Sequence, residues 1–309
     1  MISIVNKGGI AMENQPFRGL ITTDVNKAHV ILTGIPYDEG CSCGSGAHLA
    51  PKTIRDLSSF LPPLSKDGIE LSAIQMFDSG DIKKIDKNYF EQIEMESLKR
   101  FQTGKFPIFL GGDHSIGIPL QRAFYRFCQE KKKIPVIIHL DAHPDICDVY
   151  DDSKYSHACT NRRSLEYGYL PQNLHLIGIR GFELQEVKFL KQHPEIQVFT
   201  STQILNEGIQ PLIQQLTQKY ADDRYAIYLS YDIDINDPAY AVGTGTPEAF
   251  GLPSLAVLAL IVELFQKLPI TAFDIVEVSP PLDCNNMTSW LALKTLYEVF
   301  AVLIQKNHW

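Results

Sequence analysis

Long apolar runs are missing from this chain of 309 residues. No uninterrupted apolar run reaches the roughly 18 residues that a helix needs to cross a bilayer. The N-terminal segment, residues 1–17, also lacks the extended apolar core of a secretory signal peptide. We therefore expect a cytoplasmic protein whose function does not involve a membrane.

Cysteine is also sparse. The six residues are Cys41, Cys43, Cys128, Cys147, Cys159 and Cys284. Their spacing matches neither a disulfide scaffold nor a CxxC zinc site. We expect reduced thiols, which agrees with a cytoplasmic location.

Positive charge is in short supply, with 28 Lys and Arg residues against 36 Asp and Glu residues. The resulting net charge of -8 argues against nucleic acid as the main partner. A hydrophobic content of 45% is typical of a folded globular protein. Neither an internal repeat nor a linker rich in Pro, Gly or Ser divides the sequence, so we expect one domain over residues 1–309.

Strand and helix patterns alternate along the whole chain. Apolar strands are predicted at residues 28–35, 74–77, 106–110, 134–140, 174–178, 197–199, 226–229 and 271–278. Helices are predicted from residue 51 and at residues 88–102, 117–131, 183–192, 209–220, 254–266 and 288–304, with a polar loop at 148–163. Continuously apolar strands separated by helices indicate an α/β fold with a parallel sheet and helices on both faces. Ligands of such sheets bind beyond the carboxyl ends of the strands.

The most informative stretch is residues 228–247, YLSYDIDINDPAYAVGTGTP, with Asp232 and Asp234 directly after an apolar run. Residues at positions i and i+2 of a strand project to the same side, so both carboxylates can reach one point. Two like charges held that close repel each other unless a cation lies between them. The pattern therefore predicts a metal site.

Two further polar clusters follow predicted strands. One is GGDHS, with His114, and the other is DAHPD, whose alternate residues lie on one side if the chain stays extended: Asp141, His143 and Asp145. Each motif alone is also typical of an ordinary turn, but three of them at strand ends favour a shared site. Four carboxylates and two imidazoles can hold two divalent ions and neutralise their charge. Oxygen-rich ligation favours Mn²⁺ over Zn²⁺, and two such ions can activate a water for attack on a planar carbon.

GGDHS, DAHPD and SYDIDINDPAYAVGTGTPE resemble the metal-binding signatures of the ureohydrolase family, which includes arginase, agmatinase, guanidinobutyrase and formiminoglutamase. The resemblance extends from GIPYDEG at residue 34 to FDIVEVSPPLD at residue 283. It implies a three-layer α/β/α sandwich around a mainly parallel sheet of about eight strands. It also implies two Mn²⁺ ions per subunit and assembly into trimers or hexamers.

The resemblance implies a role for each polar residue. One manganese would be held by His114, Asp141, Asp145 and Asp232. The other would be held by Asp141, His143, Asp232 and Asp234, so that Asp141 and Asp232 bridge the two ions.

Glu277, in DIVEVSP, matches the family's acidic residue that pairs with the substrate guanidinium. A carboxylate at the end of an apolar strand needs a partner, and a guanidinium binds it in a bidentate way. His157 matches the histidine that carries a proton to the leaving amine, a task that suits a side chain titrating near neutrality. Asp145 would also hydrogen-bond the attacking hydroxide.

The identity of the substrate is the most detailed inference. The acidic loop at residues 146–153 favours a cationic or neutral tail, and agmatine hydrolysis to putrescine and urea, a step of polyamine biosynthesis, is our first choice. Arg162 and Arg163 could instead pair with the carboxylate of a substrate such as guanidinobutyrate or formiminoglutamate. The alternative is that both arginines face outward or bind a nearby acidic residue: Asp151, Asp152 or Glu166. Arginine is the remaining ureohydrolase substrate. Outside this group, a single-zinc deacetylase of the same fold and a non-enzymatic metal-binding scaffold are the alternatives.

Overall fold

One parallel sheet forms the centre of the fold in the computed structural model, which describes residues 15–85 and 88–309. Its strands are β1 (Val30–Gly34), β2 (Met76–Asp81), β3 (Phe106–Leu110), β4 (Ile134–Leu140), β5 (Leu174–Ile179), β6 (Gln197–Thr200), β7 (Tyr225–Asp232) and β8 (Ile270–Val276). Their order across the sheet is β2-β1-β3-β8-β7-β4-β5-β6, and neighbouring strands pair in parallel throughout.

The described part of the chain contains nine α-helices, of which the first eight connect consecutive strands and the last follows β8. They are α1 (Ala50–Ser58), α2 (Tyr89–Gln102), α3 (Gly117–Lys131), α4 (Thr160–Tyr167), α5 (Leu184–Gln192), α6 (Ser201–Glu207), α7 (Gln210–Tyr220), α8 (Ser254–Lys267) and α9 (Met287–Asn307). A helix between parallel strands carries the chain back across one face of the sheet. The predicted α/β class with a parallel sheet of about eight strands is confirmed.

Alternation along the strands creates two hydrophobic cores. In β7, Ile227, Leu229 and Tyr231 face one core, while Ala226 and Tyr228 face the other. The first core also contains apolar residues of α1, α7, α8 and α9, and the second contains those of α2 and α3. Because side chains of a strand point alternately to opposite faces, helices cover both sides of the sheet. The result is a three-layer α/β/α sandwich.

The centre of the sheet positions the predicted site. Strands β3, β8, β7 and β4 are neighbours, and they run in the same direction. Adjacent strands lie about 4.8 Å apart, so residues that follow these four strands lie within roughly 15 Å of one another. The motifs with His114, Asp141, Asp232 and Glu277 each stand at one of these four ends.

The segment at residues 148–163 differs from its prediction as a polar loop. A short 3-10 turn, His157–Cys159, leads into α4, which begins at Thr160. Arg162 pairs with Glu166 one turn later, and Gly168, with φ of 131°, ends the helix. The loop prediction agrees with residues 148–156 and was wrong for residues 157–163, because a helix of eight residues gives a weak periodic pattern and its stability comes from tertiary packing.

Helix α6 was also not predicted from the sequence. Thr200 caps its first turn by accepting a hydrogen bond from the backbone N–H of Gln203, and Gly208 follows its last residue with φ of 76°. The strand predicted at residues 74–77 is shifted to Met76–Asp81. It is the edge strand β2, where polar side chains such as Asp78 and Asp81 can face outward and pair with Arg55.

Helix α9 is the one described helix that is long and apolar enough, by length and composition, to cross a membrane. Its apolar window is 72% buried within the fold, and its residues belong to the first core. Lys294 and Glu298 interrupt its apolar sequence. A buried core helix satisfies the same length and composition criteria, and α9 is such a helix. Residues 1–14 lie outside the described part, so two expectations stay predictions: that the N-terminal segment is not a signal peptide, and that residues 1–309 form a single domain.

We predict that Leu296→Ala in α9 lowers the free energy of unfolding by about 2–5 kcal/mol, because Leu296 is fully buried and its truncation leaves a cavity. Leu255→Ala in α8 is the matched control, since that side chain is 69% exposed and should change stability by no more than about 0.5 kcal/mol. Urea unfolding of the metal-free proteins measures both. Equal losses in the two variants would contradict the assignment of α9 to the core.

Candidate metal centre and active site

The chain turns sharply directly after β4. Residues 141–143 form a bend, in which Asp141 Oδ1 accepts a hydrogen bond of 2.6 Å from the backbone N–H of His143. Asp145 then takes a left-handed conformation with φ of 51°. The expectation of an extended DAHPD segment was wrong, because an aspartate side chain readily closes a turn with the backbone two residues on.

The same device closes the turn after β7. Asp232 is the last residue of the strand, and its Oδ1 accepts a hydrogen bond of 2.9 Å from the backbone N–H of Asp234. Asp234 lies in the 3-10 turn Ile233–Ile235 and not on the strand. The prediction that Asp232 and Asp234 occupy positions i and i+2 of one strand was therefore wrong. Its Oδ2 lies 3.0 Å from His143 Nδ1, whereas Asp232 Oδ2 lies 3.0 Å from His114 Nδ1.

His114 stands among three carboxylates. Its Nδ1 lies 3.0 Å from Asp141 Oδ2, 3.2 Å from Asp145 Oδ2 and 3.0 Å from Asp232 Oδ2. The preceding Gly112 packs so tightly that a Cβ there would lie 1.6 Å from the carbonyl oxygen of Tyr37. Only glycine therefore allows the turn that brings the imidazole to this position.

Five of the six predicted ligands, together with His139, form two groups whose possible ligand atoms lie within 4.8 Å of one another. The first contains His114, His139, Asp141 and Asp145, and the second contains Asp141, His143 and Asp234. Asp141 Oδ2 and Asp234 Oδ2 are buried, and although a histidine nitrogen lies 3.0 Å from each, neither oxygen accepts a well-aligned hydrogen bond within the described structure. Buried acceptors left without a donor are costly, and a cation supplies the missing partner.

This arrangement fits a pair of cations. Asp141 belongs to both groups, as a bridging ligand requires. Asp232 lies beside His114, in neither group, so its bridging role stays a prediction.

The electrostatics of the metal-free site show how strongly the carboxylates interact. Burial, together with neighbouring aspartates, raises the pKa of Asp145 and of Asp232 well above the usual value. Although burial opposes it, the surrounding histidines hold the pKa of Asp141 well below its usual range. Burial also lowers the pKa of His114, but Asp141 and Asp145 outweigh this effect and raise the pKa to about 10. Without a metal, protons therefore provide the positive charge that the cluster needs.

Glu277 lies just past β8 at the edge of this cluster. The residue is buried, and its Oε1 accepts a hydrogen bond of 2.7 Å from the backbone N–H of His114. Its backbone has φ of 62°, a left-handed conformation that is unfavourable for a side chain of this size. Its own N–H donates to the carbonyl oxygen of Gly112 at 2.9 Å, which helps to hold it there. Backbone strain of this kind is concentrated at functional sites.

His157 faces the same point from the segment before α4. Its Nδ1 lies 3.3 Å from Glu277 Oε1, and its Nε2 forms a hydrogen bond of 2.9 Å with Ser42 Oγ. Burial lowers the pKa of His157, but the hydrogen bond and charge of Glu277 outweigh burial, so that the pKa is raised. Cys159, two residues on, is buried, and its thiol contacts the carbonyl oxygen of Ser153 at 3.7 Å. The structure thus brings all eight sequence-predicted site residues to one region.

Arg162 and Arg163 do not face this region. Arg163 Nη2 lies 2.8 Å from Asp148 Oδ1 and 2.9 Å from Glu166 Oε1. Arg162 also pairs with Glu166, and its guanidinium stacks over the ring of Phe189 at 4.1 Å from the centroid. Both arginines are thus occupied by protein partners, of which Glu166 was predicted and Asp148 was not.

Three functional-site neighbours were missed from the sequence. His139 lies two residues before Asp141 on β4, so the strand alternation could have revealed it. Asp274 is buried in β8, where it accepts a hydrogen bond of 2.7 Å from Ser230, which in turn bonds His114 Nε2. Ser42 lies 115 residues from His157, and no local signal links the two.

A cavity of about 190 Å³ opens beside the metal-site residues. It is lined by Ser42, His143, Asp145, Tyr150, His157, Ala158, Gly181, Phe182, Glu183, Glu186, Thr246 and Glu248. Buried carboxylates and imidazoles at one end, with a polar cavity in front of them, define a metal-dependent hydrolase of the α/β/α class.

The chain belongs to the arginase family, whose model matches residues 28–301. A guanidinobutyrase from Pseudomonas aeruginosa is 32% identical over 305 residues, which cover 96% of this chain and 93% of that protein. An agmatinase from Bacillus subtilis is 32% identical over 286 residues, covering 88% and 91%. The crystal structure of an agmatine ureohydrolase from Thermoplasma volcanium is similar at a TM-score of 0.83 and 33% identity, covering 96% and 97%.

Arginase-family ureohydrolases are hydrolases that act on guanidino C–N bonds at a binuclear metal site. The predicted family and enzyme class are confirmed. Family membership and a ligand cluster with a shared aspartate lend no support to the single-zinc deacetylase or to a non-enzymatic scaffold.

We predict that the affinity of the metal-free protein for Mn²⁺ rises with pH between about pH 6 and pH 8. His114 and the aspartates whose pKa is raised keep protons in the metal-free site, and a cation has to displace them. Calorimetric titration in two buffers of different ionisation enthalpy measures the affinity and the protons released. An affinity that is independent of pH, with no proton release, would contradict the described charge state.

Proposed function

We propose that this protein is a dimanganese amidinohydrolase of the cytoplasm that cleaves agmatine to putrescine and urea. The observation that carries the substrate assignment is the charge of the cavity beside the metal ligands. Among the described residues that line it, none is Lys or Arg, whereas Glu183, Glu186 and Glu248 are present. A cationic tail gains favourable interactions there, and a carboxylate tail would face like charges.

The lining of the cavity agrees with a short aliphatic tail that ends in an amine. Phe182, which is 44% exposed, offers an apolar surface to the methylene groups of the tail. Glu248 lies 4.0 Å from His143 Nε2, so the acidic wall begins next to the metal ligands and extends outward. A guanidinium held near the metals would place the far amine of agmatine along this wall.

Manganese is proposed because the donors are carboxylates and imidazoles, without a thiolate in either ligand group. Carboxylate-rich ligation suits Mn²⁺, although imidazole also suits other metals. When bound, the metal pair supplies Lewis-acid activation of a water molecule for attack on the guanidinium carbon.

The chain's own residues orient the substrate and move the proton. Glu277 presents a buried carboxylate that pairs with the guanidinium and holds its carbon towards the metal ligands. His157 Nδ1 lies beside that carboxylate, where an imidazole can donate a proton to the departing amine nitrogen. Ser42 holds the other ring nitrogen and so fixes the orientation of the imidazole. Asp145, buried at the cluster, accepts a hydrogen bond from the attacking water.

Guanidinobutyrate is the second candidate, because a relative that covers 96% of this chain is named guanidinobutyrase. Its carboxylate could reach the hydroxyl groups of Ser42, Tyr150 and Thr246 in the cavity. The same cavity contains three glutamates, and the two nearby arginines are bound elsewhere. Formiminoglutamate and arginine meet the same objection, since both carry carboxylates.

Urea release by the Mn²⁺-loaded protein tests the substrate assignment. The panel is agmatine, guanidinobutyrate and arginine, with formamide release from formiminoglutamate measured in parallel. We expect the highest kcat/KM with agmatine and loss of activity in Asp232→Ala. Preferred turnover of a carboxylated substrate would retain the metal chemistry and refute the agmatine assignment.

We predict that Glu277→Gln lowers kcat/KM for the preferred substrate by roughly 100-fold without loss of metal, because a neutral amide cannot pair with the guanidinium charge. Glutamine keeps the acceptor for the backbone N–H of His114, so the turn should be preserved. Glu298→Gln is the matched control, a buried glutamate that accepts a 2.5 Å hydrogen bond from the backbone N–H of Lys66. Steady-state kinetics and metal analysis are the measurements. Equal activity in the two variants would exclude Glu277 from substrate binding.

Assembly into a trimer or hexamer and a place in polyamine biosynthesis are part of the proposal. Putrescine is itself a polyamine precursor, so the place in polyamine biosynthesis follows from agmatine as the substrate. Light scattering at micromolar concentration tests the assembly state independently of activity.

A further inference from the structure

His139 is a buried polar residue beside the metal ligands for which the proposed reaction has no task. It lies on β4, two residues before Asp141, and is 0% exposed. The neighbouring side chains on this strand, Ile138 and Leu140, belong to the hydrophobic core. An imidazole at a position that an apolar side chain could fill requires a polar partner.

Two of its contacts reach residues of the metal site. His139 Nε2 lies 2.8 Å from Asp141 Oδ2, and it forms a hydrogen bond of 3.2 Å with the carbonyl oxygen of His143. One nitrogen therefore contacts both ends of the turn that directly follows β4. The two partners are a carboxylate shared by both ligand groups and the backbone of a ligand of the second group.

The ring also stacks against another ligand. Its centroid lies 4.6 Å from that of His114, with an angle of 21° between the ring planes. His139 thus contacts residues from the ends of two strands, β3 and β4, that are not neighbours in the sheet.

These contacts determine which nitrogen carries the proton. A carbonyl oxygen is an acceptor, so Nε2 must be the donor in its hydrogen bond with His143. The other ring nitrogen, Nδ1, is buried and has no hydrogen-bond partner in the described structure. With a proton on Nε2, His139 offers the metal no lone pair from the side that faces Asp141. It therefore acts on the ligands and is not itself a ligand.

We propose that His139 is a positioning residue that clamps the turn bearing Asp141 and His143 and so sets the affinity of one of the two cation sites. The proposal rests on the two-cation site of the proposed function and is independent of the substrate. Groups that hydrogen-bond or orient ligand residues typically change metal affinity by about 10- to 100-fold when removed.

The geometry indicates which cation depends on the clamp. Asp141 Oδ2, the oxygen next to His139, faces His114 at 3.0 Å. Asp141 Oδ1 instead accepts the hydrogen bond from the backbone N–H of His143 and lies 3.5 Å from His143 Nδ1. The cation on the His114 side should therefore weaken more than the cation on the His143 side.

The test is Mn²⁺ titration of the metal-free full chain, by calorimetry and by equilibrium dialysis with metal analysis. His139→Phe keeps a flat ring for stacking but removes the N–H, and His139→Gln restores an N–H donor without the ring. We expect two ions in the wild-type chain and a loss of about 10- to 100-fold in affinity for one of them in His139→Phe. His139→Gln should retain both ions near the wild-type affinity.

His175→Phe is the matched control. His175 is also a buried histidine on an inner strand, β5, but its Nε2 bonds Tyr220 Oη at 2.8 Å, away from the metal site. We expect it to bind two ions with unchanged affinity, even where its thermal stability falls.

Several results would overturn the proposal. They are wild-type affinities in His139→Phe, an equal loss in His175→Phe, or a loss in His139→Gln as large as in the phenylalanine variant. Circular dichroism of the metal-free proteins checks the fold. If His139→Phe does not fold, the folded His139→Gln variant decides. A loss of 10-fold or more in its affinity for one ion refutes the donor role, and wild-type affinity for both ions supports it. Since only metal binding is measured, a failed substrate assignment leaves the result unaffected.

Discussion

The mutual repulsion of four buried aspartates is the constraint on which the site depends. Asp141, Asp145, Asp232 and Asp234 are each no more than 4% exposed, and they converge where the central strands end. Such a cluster is unstable in a low-dielectric interior unless positive charge offsets it. Protons supply that charge in the metal-free protein, and two cations supply it in the enzyme. The chemistry follows from the same charges, since a cation pair held by carboxylates activates water.

The order of strands in the sheet makes this cluster possible. Although β3, β4, β7 and β8 are separated along the chain, they are four consecutive strands in space. A parallel sheet directs all their carboxyl ends to one edge, and the two packed helical layers keep that edge rigid. Glu277 joins the cluster because β8 lies between β3 and β7. Glu277, whose carboxylate is proposed to bind the substrate guanidinium, and the metal ligands thus share one scaffold.

Under the proposed function, selectivity depends on the loops around this scaffold. The turn before α5 contributes Phe182 and Glu183 to the cavity, and the loop after β7 contributes Thr246 and Glu248. In the proposed complex these residues lie along the substrate tail, away from its reacting carbon. Relatives of similar identity to this chain are named for different guanidino substrates, as expected if loop charge varies over a common metal site.

The sequence alone was sufficient to predict the parallel α/β fold and to name eight residues that the structure brings to one region, because strand periodicity and short motifs are local properties. It missed the short helix α4, the bend at Asp141, and the pairing of Arg163 with Asp148. The contact of Ser42 with His157 and the position of His139 between two ligands depended on the tertiary structure. Such contacts arise from how strands and loops distant in sequence pack together, and packing is settled only when the whole chain is folded.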